Sequence, residues 1–255
     1  MISRNISVLA ALLVFSCTGF SEDPVAANPA IIPASKLEND FYNWEQRHES
    51  VLKAKSEVNP EIVMLGDSIT HLWGGQPEEP KGGRGKDAWA ALFGTKRVLN
   101  CGFGWDRTQN ALWRIDHGEL DGIQPKLIVI NIGTNNLANT KNCRSCTPDE
   151  IAEGIEAVVK RCQAKCPQAK LVVMGVFPRG KQAADGNRAK VSAINAAASK
   201  RITTISGVTF LDIGEKFIGP DGSISPEVMP DALHPSNKGY GIWAEAIKPF
   251  VDAVK

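Results

Sequence analysis

Residues 61–70 read Glu61-Ile62-Val63-Met64-Leu65-Gly66-Asp67-Ser68-Ile69-Thr70. A run of β-branched and long apolar side chains, too short for a helix and stopped by glycine and polar residues, is the pattern of a strand buried on both faces of a parallel sheet. Runs of the same kind occupy 97–101, 127–132, 171–176 and 208–211. Helical periodicity fills the intervals at 87–93, 108–116, 148–166 and 187–202. Two further helical stretches lie at 37–55, ahead of the first strand, and at 237–254, behind the last. Strict alternation of strand and helix predicts an α/β chain: one doubly wound, three-layer α/β/α domain over 35–255, with about five parallel strands.

In such sheets a ligand binds outside the carboxyl ends of the strands, where the strand order reverses. That rule turns the strand list into a search for chemistry. The first strand is followed by Gly66-Asp67-Ser68-Ile69-Thr70, the second by Gly102-Phe103-Gly104-Trp105-Asp106-Arg107, and the third by Gly133-Thr134-Asn135-Asn136. Close to the end of the chain, Asp231-Ala232-Leu233-His234-Pro235 holds a carboxylate and an imidazole three positions apart.

A serine hydroxyl attacks efficiently only when a base takes its proton, and histidine suits that task near neutral pH. Ser68 is the expected nucleophile and His234 the base, with Asp231 fixing the ring and stabilising the imidazolium that forms. The backbone N–H of Ser68 and the side-chain amide of Asn135 are expected to face the oxyanion. His48, His71 and His117 have no comparable carboxylate and read as surface or helix residues, with His71 near enough to Ser68 in sequence to line the pocket.

Composition excludes several classes. The 255 residues are 43% hydrophobic and 22% charged, with 29 basic against 28 acidic side chains. With no long run of like charge, nothing here attracts nucleic acid or an anionic membrane. The N-terminus departs from this average. Arg4, an apolar stretch at 6–15 and small or polar residues from Ser16 to Gly19 read as a signal peptide over 1–21, followed by a linker over 22–34. This places the chain in a periplasmic or extracellular location, with no transmembrane segment after signal removal. Val14-Phe15-Ser16-Cys17 offers a second version, a lipoprotein signal ending before Cys17, although Phe15 fits that box poorly.

Export makes the cysteines relevant, since oxidising compartments permit disulfides. Cys143-x2-Cys146 and Cys162-x3-Cys166 invite a zinc reading. Thr147, Pro148 and Glu150, however, form a helix start with a capping box. The helix to Cys166 then separates the two pairs by about 25 Å at 1.5 Å per residue. No metal is expected; local Cys143–Cys146 and Cys162–Cys166 pairings are both compatible with the sequence.

The four polar blocks together resemble those of the SGNH, or GDSL, hydrolase superfamily: Gly66-Asp67-Ser68, the loop at 102–106, Gly133-Thr134-Asn135-Asn136 and Asp231-x-x-His234. The likeness is strongest to the catalytic subunits of platelet-activating-factor acetylhydrolase and their bacterial relatives. Leu112-Trp113-Arg114-Ile115, Gly118-Glu119-Leu120, Pro178-Arg179-Gly180 and Asp221-Gly222-Ser223-Ile224-Ser225 share in it. The resemblance covers roughly Pro60 to Phe250. It implies a flavodoxin-like sheet, no cofactor, and hydrolysis of an ester, often an acetyl ester, through an acyl-enzyme. One position departs from the family: a glycine usually precedes the Asp of the second block and lends its N–H to the oxyanion hole. Here Trp105 precedes Asp106, with Gly104 one residue earlier, so either Trp105 or Gly104 is the expected backbone donor.

The expected partner is therefore a small-molecule or glycan ester, with acetylated carbohydrate preferred on grounds of export, and self-association is compatible with the sequence. Two alternatives stand beside it: an inactive carbohydrate-binding or scaffold module, and a lysophospholipase-type esterase. A dinucleotide fold would need glycine or alanine where Arg107 stands. A lipase with the Gly-x-Ser-x-Gly elbow would need glycine at Thr70.

Overall fold

The computed structural model describes residues 27–78 and 83–255. Five strands form one parallel sheet in the order β2-β1-β3-β4-β5: β1 (Ile62–Gly66), β2 (Val98–Gly102), β3 (Leu127–Asn131), β4 (Lys170–Met174) and β5 (Val208–Leu211). The order reverses between β2 and β3 across β1, so the switch point lies at the end of β1. Among the described residues seven α-helices accompany the sheet: α1 (Trp44–Val58), α2 (Ser68–His71), α3 (Lys86–Phe93), α4 (Thr108–Asp116), α5 (Pro148–Lys165), α6 (Gly186–Ile202) and α7 (Asn237–Asp252).

Alternate strand residues feed two separate cores. Val63, Leu65, Ile128, Ile130, Leu171 and Val173 join the side chains of α1, α4, α5 and α6, while Ile62, Met64, Leu127, Val129, Val172 and Met174 join those of α3 and α7. Period-two alternation therefore supplies both faces of the sheet with apolar side chains, and a three-layer sandwich is the way to cover them. The capping box at 147–150 forms as expected: Glu150 N–H donates to Thr147 Oγ1 at 3.2 Å and Thr147 N–H to Glu150 Oε2 at 2.8 Å.

One expectation needs adjusting. The first helix begins at Trp44, not Leu37, because Asn43 accepts the Gln46 N–H and starts the helix there. The chain before it instead runs across the carboxyl end of the sheet. In the described part of the expected linker, Asn28 Nδ2 donates to Glu150 O and Glu153 Oε2, and Ala30 is fully buried against α4 and α5. His48 lies in α1 and His71 ends α2, and both are buried. Cys143, Cys146, Cys162 and Cys166 are free thiols, so neither local disulfide is formed.

The signal peptide over 1–21, Cys17 and residues 22–26 of the linker lie outside the described residues. Among the described residues no helix is long and apolar enough to cross a membrane, and no group of His, Cys, Asp and Glu is arranged to hold a metal.

Candidate active site

Ser68 opens α2 directly after β1. Asp67 caps that helix through Oδ1, which accepts the Ile69 N–H at 2.9 Å. Gly66 is required where β1 passes into this turn, because a Cβ there would lie 2.2 Å from Thr70 Oγ1 and 2.3 Å from Asn131 O. The strand end can then turn at the switch point and leave the hydroxyl of Ser68 facing a cleft.

His234 reaches that hydroxyl from the other end of the chain. Its Nε2 lies 2.9 Å from Ser68 Oγ, and its Nδ1 lies 2.8 Å from Asp231 Oδ2. A carboxylate only accepts, so Nδ1 carries the ring proton and Nε2 presents a lone pair to the serine. Asp231 Oδ1 accepts the N–H groups of Leu233 at 3.1 Å and His234 at 2.7 Å, closing an Asx turn that fixes the spacing of acid and base. Partial burial pushes the Asp231 carboxyl up, but the His234 N–H, the ring and Arg84 outweigh it and hold the group at about 2. It is a carboxylate throughout the neutral range.

The two neighbouring strand ends frame this array. Asn135 Nδ2 donates to Asp106 O at 3.0 Å, leaving its second amide hydrogen free of that bond. Asn136 ties the same loop to α4, accepting the Thr108 N–H at 3.0 Å and donating to Thr108 Oγ1 and Gln109 Oε1. Of the two backbone donors expected from the second loop, the structure uses one elsewhere: Gly104 N–H donates to His71 Nδ1 at 3.1 Å. Trp105 takes the left-handed conformation, φ 62°, that glycine ordinarily supplies, and its indole is 40% exposed, so it walls no buried acyl pocket. Among the described residues the N–H groups of Ser68 and Trp105 have no acceptor.

Beneath the second loop lies a buried charge network. Arg114 Nε donates to Asp106 Oδ2 at 2.8 Å, its Nη1 pairs with Glu119, and its remaining donors reach the carbonyls of Cys101 and Gly66. Burial pushes the carboxyls of Asp106 and Glu119 up, against the pull of Arg114. Trp44 Nε1 adds a bond to Asp106 Oδ1 at 2.7 Å, so α1 also braces this loop.

The cleft in front of Ser68 measures about 480 Å³ and is lined by Asp40, Phe41, Leu72, Gly83, Arg84, Asp231 and His234. Asp40 and Phe41 come from the segment expected to be helical. Phe41 stacks on His71, with ring centroids 5.6 Å apart, and Tyr42 donates its hydroxyl proton to Gly104 O at 3.1 Å. Sequence reasoning missed Asp40, Phe41 and Arg84 because each reaches the cleft only through tertiary placement.

The chain is similar to several known proteins. Residues 64–242 match the model of the GDSL-like Lipase/Acylhydrolase family. The alpha2 subunit of rat platelet-activating factor acetylhydrolase IB is 34% identical over 230 residues, covering 89% of this chain and 91% of that protein. Among solved structures, a GDSL-like lipase from Bacteroides thetaiotaomicron aligns with a TM-score of 0.60 at 19% identity, over 80% of this chain and 98% of that one. A catalytic mutant of an acetylxylan esterase from Geobacillus stearothermophilus aligns with a TM-score of 0.57 at 18% identity, over 74% and 93%.

Proposed function

The chain belongs to the GDSL-like lipase/acylhydrolase family and is a carboxylic ester hydrolase, and from that premise we propose that it is an exported serine esterase acting on short-chain, chiefly acetyl, esters of carbohydrates. The observation that carries the reading is the unbroken hydrogen-bonded series Ser68 Oγ, His234 Nε2, His234 Nδ1 and Asp231 Oδ2.

In the first half-reaction Ser68 Oγ attacks the ester carbonyl and passes its proton to His234 Nε2. The C–O bond to the alcohol then breaks, and His234 returns the proton to that leaving oxygen. Water repeats the sequence on the acyl-enzyme and releases the acid. Asp231, ionised throughout, holds the ring in the productive tautomer and offsets the imidazolium charge in both halves. The oxyanion is stabilised by the N–H groups of Ser68 and Trp105 and by the free amide hydrogen of Asn135. Donors fixed in place before reaction stabilise developing charge without reorganising, and each is worth about 2.7–4 kcal/mol.

Acyl length and leaving group are argued from the cleft. Phe41 and Leu72 are its apolar side chains, while Asp40, Arg84, Asp231 and His234 are polar or charged. A long acyl chain would lie against charged groups, whereas an acetyl group needs little apolar wall and a sugar can use Asp40 and Arg84 as hydrogen-bond partners. The names acetylhydrolase and acetylxylan esterase, carried by the relatives, agree with this choice.

The test is hydrolysis of p-nitrophenyl acetate, butyrate and octanoate by the chain lacking residues 1–21, beside Ser68→Ala and His234→Ala. Both variants are expected to lose several orders of magnitude in kcat. Turnover should fall with acyl length, and acetylated xylan should exceed long-chain lysophospholipid in kcat/KM. An equally active Ser68→Ala would end the triad reading, and preference for octanoate would end the acetyl one. Glycan binding without turnover by wild type would point to an inactive module. Mass spectrometry of the mature N-terminus tests export, and an intact Met1 would overturn it.

A further inference from the structure

A cation shares the acid of the Ser68–His234–Asp231 array. Arg84 Nη1 lies 3.3 Å from Asp231 Oδ2, the oxygen that also accepts from His234 Nδ1. With Leu233 and His234 N–H on Oδ1, four donors surround a carboxylate that offers about four lone-pair sites, and Arg84 supplies the fourth.

The backbone that carries Arg84 is fixed. Arg84 N–H donates to Leu72 O at 2.6 Å and Gly85 N–H to Trp73 O at 3.2 Å, laying this strip along the end of α2. Glycines on either side permit the approach. A Cβ at Gly83 would lie 2.7 Å from Trp73 O, and one at Gly85 would lie 2.3 Å from Tyr240 Cδ2. The rings of Trp73 and Tyr240 are fully buried and stacked, with centroids 5.3 Å apart, so this wall is closed by the core. Tyr240 also donates its hydroxyl proton to Ile69 O at 2.7 Å, on the helix that begins with Ser68. One rigid wall therefore positions both the serine and Arg84.

We propose that Arg84 is a positioning residue: it holds the Asp231 carboxylate at Oδ2, the oxygen it shares with His234 Nδ1, and sets how strongly that carboxylate supports the imidazolium. The proposal rests on the triad reading. The groups facing the pair are His234 on its own loop, Tyr240 on α7 and Asp40 across the cleft. Burial keeps the Tyr240 phenol far above its ordinary range and therefore neutral. Arg84 is then the neighbouring cation that weakens the pull of Asp231 on the imidazolium, and its removal strengthens that pull.

The experiment compares Arg84→Met and Arg84→Lys with wild type and Ser68→Ala, following kcat, KM and the pH dependence of kcat/KM on p-nitrophenyl acetate. Both Arg84 and Asp231 are nearly half exposed, 43% and 45%, so the effect is that of an exposed ion pair. Arg84→Met is expected to lose about two- to five-fold in kcat with KM unchanged. Its acid limb should move to higher pH by about half a unit. Arg84→Lys should restore most of the rate and return the limb to its wild-type position. An unchanged rate and limb in Arg84→Met would overturn the proposal while an inactive Ser68→Ala left the triad standing. Equal losses in Met and Lys with no shift of the limb, or a change confined to KM, would also overturn it. An active Ser68→Ala would instead remove the triad reading beneath it.

Discussion

The guanidinium of Arg114 lies over the ring of Phe103, 4.0 Å from its centroid, and both side chains are completely buried. Asp106, Glu119 and two backbone carbonyls take up its donors, so the loop after β2 stands on an ionised post driven into the core. Removing one member of such a group leaves the others charged and uncompensated, at a cost of about 3–5 kcal/mol. Arg114→Met should therefore lower the urea midpoint by that equivalent. Because Asp106 O holds Asn135, esterase activity should fall even where the variant is fully folded. A variant with wild-type midpoint and rate would show that Arg114 is a passenger.

Trp105 offers a test of the opposite sign. A non-glycine residue in the left-handed region costs about 1–2 kcal/mol, and this indole recovers little by burial. Trp105→Gly relieves the strain but gives the unfolded chain more freedom, worth about 0.4–1 kcal/mol. Thermal unfolding should show unchanged stability or a gain of up to about 1 kcal/mol. Since the proposed oxyanion donor is the backbone N–H, kcat on p-nitrophenyl acetate should stay within about two-fold, against the 10²–10³ that loss of such a donor costs. A drop of that larger size would assign the indole a role of its own.

The cysteines provide a chemical test of compartment and fold. Cys101, Cys146, Cys162 and Cys166 are buried free thiols, and burial pushes all four above their ordinary range. Cys143 alone among these positions is partly accessible. A thiol reagent should thus label Cys143 rapidly in the native protein and the other four only on unfolding, with the same total before and after reductant. A total that rises after reduction would mean that the mature protein carries a disulfide.

Much of this architecture was legible in the chain, for a physical reason. Buried parallel strands are continuous apolar runs, so each strand was located to within two residues, and the ends of those runs brought Ser68 and Asn135 to one rim. Asp231 and His234 were legible as a pair because an Asx turn is local. Long-range fit was not. Asn43 outcompetes the apolar spacing from Leu37 onward as a helix start, which frees Asp40 and Phe41 to reach the cleft. His71 claims the Gly104 N–H across 33 positions, and Arg84 meets Asp231 across 147, through contacts that no spacing rule encodes.

Asp67 ties the site to stability. It is fully buried, its Oδ2 has no partner, and burial raises the carboxyl to about 7 from an ordinary value of 3.8. Between those two values the folded chain binds a proton at Asp67 that the unfolded chain has released. The slope of unfolding free energy with pH is then negative: the contribution is complete below pH 4 and disappears as pH rises through 7. A shift of this size corresponds to up to about 4 kcal/mol. Asn at 67 keeps an oxygen to cap the Ile69 N–H and never ionises. Asp67→Asn should accordingly flatten this decline and be more stable than wild type at pH 8, relative to their difference at pH 4. Urea midpoints of both proteins at the two pH values give the comparison. Parallel curves would mean that Asp67 stays ionised in the folded state, with solvent or a counter-charge reaching its second oxygen.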